Sequence, residues 1–142
     1  MTASISKKQF EDYKSKGFNR IPIVFESLAD LDTPLSVYAK LANLPYSYLL
    51  ESVEGGERFG RYSIIGLPSK KVFKINEHEI SIFYNQKLIE KIEHENPLDF
   101  IDSYLKSFKI PEDVYLPRYS GGLAGYFGYE TIQYIDPKLA KN

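Results

Sequence analysis

The chain has 142 residues, a formal charge of −1 from 18 basic and 19 acidic side chains, 43% hydrophobic residues, twelve Tyr and nine Phe. Those values fit one folded, β-containing domain with a core of its own, and they exclude a disordered chain, a basic nucleic-acid-binding field and a polybasic membrane surface. Cysteine is absent and His78 and His94 are the only histidines, so the sequence offers neither a disulfide framework nor a thiolate metal site.

No apolar run approaches the roughly 18 residues of a membrane span, and the polar first twenty residues lack an apolar signal core. The default expectation is a cytoplasmic protein. Residues 4–16 predict a short helix with serine caps at its start, Phe10 and Tyr13 on one face and Gly17 at its stop. Ile21 to Ser27 predicts a strand, being rich in Ile, Val and Phe. A second helix follows, with Thr33 as cap, Pro34 at the first helical position and Leu35, Tyr38, Ala39 and Ala42 as its apolar stripe.

Residues 46–66 then predict a hairpin. From Tyr46 to Glu54 side chains alternate, so Tyr48, Leu50 and Ser52 share one face and Leu49, Glu51 and Val53 the other. Either way, Glu51 or Ser52 is expected to point into mostly apolar surroundings, where a carboxylate or hydroxyl needs a partner. Gly55, Gly56 and Gly60 permit the reversal that brings Arg58 and Arg61 back towards those groups. Two readings stand side by side. One is a structural ion pair between Glu51 or Glu54 and an arginine that holds the register. The other is a pocket for a zwitterion, with the acid meeting an ammonium and Arg and Ser meeting a carboxylate.

After Pro68 a meander is expected: Lys70 to Asn76, a turn at Glu77–His78, Glu79 to Tyr84, a turn at Asn85–Gln86, and Lys87 to Ile92. His78 at a turn reads as a solvated loop residue. Asn96 and Pro97 open a third helix, whose buried face is read as Leu98, Ile101, Leu105 and Phe108. Lys109 to Pro117 is a surface loop, and Gly121 to Tyr129 a strand whose glycines admit close approach of a backbone or ring. The spacing of Gly122, Gly125 and Gly128 matches neither dinucleotide nor P-loop patterns. No catalytic constellation and no carboxylate cluster of Mg²⁺ type stands out.

The run Leu49-Leu50-Glu51-Ser52, followed by Gly-Gly-Glu-Arg-Phe-Gly-Arg-Tyr-Ser-Ile-Ile-Gly to Gly66, resembles the amino-terminal region of anthranilate synthase component I, a chorismate-utilising family. The likeness extends to Asn19-Arg20-Ile21-Pro22, to Asp32-Thr33-Pro34-Leu35-Ser36 and to Pro117 through Glu130, and so spans nearly the whole chain. It implies that residues 1–142 are a regulatory domain, and that the chorismate and Mg²⁺ sites belong to a longer carboxy-terminal part. In the family that part acts with a glutamine amidotransferase, component II. The resemblance further implies an excised or truncated piece, inactive alone, with exposed apolar surface and a tendency to self-associate.

It also implies a half-site for the inhibitor L-tryptophan at Leu50, Glu51 and Ser52, with Arg61, Tyr62 and Ser63 from the returning segment. Glu51 would accept from the ammonium, Ser52 would hydrogen-bond the ligand, and Leu50 would form part of the indole wall. Aminodeoxychorismate synthase component I and a stand-alone binding or interaction domain are the competing expectations. The fold expected is α+β: a largely antiparallel sheet with about three helices packed on it, part of a larger two-sheet chorismate-utilising enzyme fold.

Overall fold

The computed structural model describes residues 4–51, 62–117 and 119–139. The fold is α+β; the described residues form antiparallel strands in two small sheets and three α-helices. The helices start where local side-chain chemistry directs. Ser6 accepts from the Gln9 amide and Gln9 reaches back to the Ser6 backbone, which caps α1 (Lys7–Ser15). Thr33 and Ser36 do the same for α2 (Pro34–Leu41), with Pro34 at its first position.

The expected hairpin forms. β1 (Tyr48–Glu51) pairs antiparallel with β2 (Ser63–Gly66), with Tyr48 opposite Gly66 and Glu51 opposite Ser63. The Tyr48 ring covers Gly66 so closely that a Cβ there would overlap its ring carbons. β3 (Lys71–Asn76), β4 (Glu79–Tyr84) and β5 (Lys87–Glu93) make the meander, in that order across the sheet. Asn85 and Gln86 both adopt positive φ, as a two-residue hairpin loop of matching twist requires.

Asn96 caps α3 (Pro97–Lys106), its side chain accepting from the Leu98 amide at 3.0 Å. Asn96→Ala is expected to destabilise the chain by about 1 kcal/mol, read as a lower urea midpoint at unchanged slope. Phe100 stacks on Tyr104, Tyr104 meets Phe108 edge-on, and the Arg20 guanidinium lies 4.4 Å from the centre of the Phe108 ring. The Asn19 carboxamide clamps the end of this helix: it donates to the Ser107 carbonyl at 2.8 Å and accepts from the Lys109 amide at 2.7 Å.

Several expectations are corrected. Residues 21–27 form no strand: among the described residues Ser4 meets the backbone at Val24, and no ladder is formed there. Residues 121–128 are likewise extended without a ladder, and lead into a 3₁₀ helix (Tyr129–Tyr134) and a shorter one (Pro137–Leu139). A Cβ at Gly121, Gly122 or Gly125 would meet open space, so close approach is realised at Gly66 instead. On α2, Leu35 and Ala39 are exposed while Val37, Tyr38 and Ala42 turn inwards. On α3, Leu105 is exposed, and the Phe100 and Tyr104 rings take its place.

The chain divides into two units, one of Met1–Glu26, Ile75–Ile80 and Ile92–Asn142, the other of Ser27–Lys74 and Ser81–Lys91. Within the first, Tyr13, Ile80 and Val114 are buried, and the Tyr13 hydroxyl donates to Asp113 at 2.8 Å. Within the second, Ala42 and Ile82 are buried and α2 packs against β1 and β2. No helix among the described residues is long and apolar enough to cross a membrane.

In the second unit Asp32 accepts from the Lys40 ammonium and the Ser36 hydroxyl, and these bonds hold its carboxyl below the usual range, Lys40 contributing most. A depressed folded-state value adds stability above the ordinary carboxylate range and loses it as pH falls through the lowered one. Asp32→Asn is therefore expected to flatten the acid limb of a urea-midpoint profile below about pH 4.

Candidate functional site

Glu51 ends β1 and Ser63 opens β2, so the register alone sets the two side chains on one face. The Ser63 hydroxyl donates to Glu51 Oε1 at 3.3 Å. Both side chains are exposed. Of Glu51 and Ser52, one of which is expected to enter apolar surroundings, Glu51 meets water and Ser52 lies outside the described residues. A two-stranded ladder with α2 against it leaves the Glu51 edge in water, where a carboxylate needs no buried partner.

Leu50 and Tyr62 stand near this pair in sequence and are 53% and 68% exposed. Ser52, Arg58 and Arg61 lie outside the described residues, as does Glu54, so neither the ion-pair reading nor the carboxylate arm of the zwitterion reading is visible here. What the hairpin presents is an exposed acid braced by a hydroxyl, with uncovered apolar side chains before and after it. The acid can accept hydrogen bonds from an ammonium, while Leu50, on the other face of the strand, can lay apolar area against a ring. Among the described residues no three His, Asp or Glu side chains converge as a metal site, so these residues do not fit a Mg²⁺ ion.

A second polar cluster was not legible as a site. His78, His94, Glu95, Asn96, Asp99, Gln133 and Tyr134 line an open cleft of about 600 Å³ in the first unit. His78 is exposed, as its turn position implies, yet its ring faces the His94 carbonyl (Nδ1 to O, 3.2 Å) and the edge of Tyr134. The Tyr134 hydroxyl in turn donates to the Glu77 carbonyl at 2.6 Å. The only local signal was a histidine two residues ahead of an Asn-Pro helix start.

Sequence comparison gives a consistent picture. The chain is 56% identical over 128 residues to anthranilate synthase component 1 of Neisseria meningitidis, a match covering 90% of this chain and 26% of that protein. It is 46% identical over 136 residues to the protein of the same name from Pseudomonas aeruginosa, covering 96% of this chain and 28% of that one. With the Aquifex aeolicus protein of that name identity is 37% over 129 residues, covering 90% and 26%. The chain thus spans about a quarter of the length of these relatives. No protein-family profile matches it, and no solved structure matches significantly.

Proposed function

We propose that this chain, a homologue of the amino-terminal quarter of anthranilate synthase component 1 over nine tenths of its own length, is the tryptophan-sensing part of such an enzyme. The complete protein would convert chorismate and ammonia into anthranilate and pyruvate, the ammonia coming from glutamine through an amidotransferase component. Mg²⁺ and chorismate would be bound by the remainder of the protein.

One observation supports the sensing role above the others: the β1–β2 register places Glu51 and Ser63, from the two ends of the motif, side by side and open. Glu51 would take the ligand ammonium, Ser52 a further hydrogen bond, and Leu50 and Tyr62 part of the indole wall, with Arg61 and Ser63 on the returning side. Tryptophan would favour one placement of this part against the catalytic part, and its difference in affinity between placements would set the degree of inhibition. Leu28, Leu31, Tyr126 and Tyr129, all largely exposed, are consistent with a chain that packs on further protein or on itself.

A half-pocket binds poorly. Each missing hydrogen bond to a charged group forfeits roughly 1.5–3 kcal/mol, so a few losses cost orders of magnitude in affinity. Calorimetry is expected to show no saturable tryptophan binding to this chain at micromolar concentration, and saturable binding with inhibition in the complete enzyme. Micromolar binding by the chain alone would refute the half-site, and a complete enzyme indifferent to tryptophan would refute sensing itself.

A further inference from the structure

We propose that His94 is a pH-sensitive clasp on the start of α3, a role separate from the tryptophan half-site. The His94 ring is half-buried, and its Nδ1 accepts from the Asn96 amide at 3.2 Å. Asn96 is itself the helix cap, accepting from the Leu98 amide. Two consecutive bonds therefore hold the chain as it enters the helix, and the first ends on a titratable nitrogen.

A ring nitrogen accepts only while it carries no proton. The neutral His94 must therefore hold its proton on Nε2. Protonation puts an N–H against the Asn96 N–H, and that bond is lost. His78 behaves in the opposite way. Its Nδ1 faces a carbonyl, the one belonging to His94, so it donates whether the ring is neutral or charged. Of the two histidines in the cleft, acid breaks the contact of one and spares that of the other.

The groups facing His94 come from three elements. Glu95 and Asp99 stand at the start of α3, His78 on the turn between β3 and β4, and Gln133 and Tyr134 on the 3₁₀ helix. The edge of Phe100 contacts the ring at a centroid distance of 6.4 Å. Glu95 and Asp99 line the same cleft and are acceptors open to a newly formed Nδ1–H. The far end of α3 is held independently by Asn19, so the response is confined to the first turn.

The test is ¹⁵N-edited NMR of the 142-residue chain and of a His94→Asn variant between about pH 8 and 5, the interval in which histidine ordinarily titrates. Asparagine keeps an oxygen that can accept from the amide two residues on, but does not ionise there. In the parent chain the Asn96 amide shift is expected to follow the ionisation of the His94 ring. Hydrogen-exchange protection at Asn96 and Leu98, corrected for intrinsic rates, should fall roughly three- to tenfold. The variant should show neither change, and His78→Asn should keep the parent's response. A neutral His94 protonated on Nδ1, or an Asn96 amide that tracks pH equally in His94→Asn, would overturn the assignment.

Discussion

Ser52→Phe in the complete enzyme is expected to leave uninhibited turnover within about twofold and to raise the tryptophan concentration for half-inhibition by about ten- to a hundredfold. The premise is that Ser52 gives the ligand one hydrogen bond to a charged group, a contact of roughly 1.5–3 kcal/mol in such settings. Phe replaces the hydroxyl with a ring that offers no hydrogen bond. Under the proposed function the groups that act on chorismate belong to the remainder of the protein, so turnover should survive. Ser52 follows β1 directly, so Glu51 and the ladder with β2 should persist in the variant. Steady-state inhibition curves for parent and variant decide the matter, and unchanged sensitivity to tryptophan would end the assignment of position 52. Glu51→Gln is a useful companion, since it removes the charge that would meet the ammonium while retaining an acceptor for Ser63.

The largest effect on stability is expected at Ile80. Its side chain is fully buried near the start of β4, in a chain whose other buried apolar residues are few and include Ala42, Ile82 and Val114 among those described. Truncation to Ala removes the transfer free energy of three carbons and leaves a cavity, together about 2–5 kcal/mol. Domains of this size commonly have only about 5–15 kcal/mol in total, so the Ile80→Ala urea midpoint should drop steeply or the folded baseline vanish. Leu31→Ala is the control, because that side chain is wholly exposed and its loss should hardly move the midpoint. Equal midpoints for Ile80→Ala and the parent would show that the core is not where burial places it.

Much of the element list was legible because its causes are local. Asn96-Pro97 and Thr33-Pro34 start helices through bonds that span two or three residues, and each cap formed as read. The turns at Glu77–His78 and Asn85–Gln86 fixed the meander in the same way, since a two-residue loop sets the register of both its strands. The pairing of β1 with β2 also followed from alternation on either side of one reversal.

Other features depend on groups distant in the chain. Residues 21–27 and 121–128 have strand-like composition, but a strand exists only where a neighbour offers its own N–H and C=O groups, and these segments have no such ladder. Which glycine is pressed by a ring depended on where Tyr48 came to lie, and it lies on Gly66. Leu35 and Leu105 fit an apolar stripe on paper, yet burial follows whatever packs alongside, and that selected Val37 and the Phe100–Tyr104 pair. Likewise the charge on Glu51 could be read from the sequence, but its open position is set by how the two-stranded sheet and α2 pack among the described residues. By itself the sequence determined the kinship, the helix starts and the hairpin registers, because short-range bonds and residue identity carry them. The tertiary structure alone decided which faces are covered, which side chains meet water and what His94 touches, because each is settled by neighbours that chain order does not name.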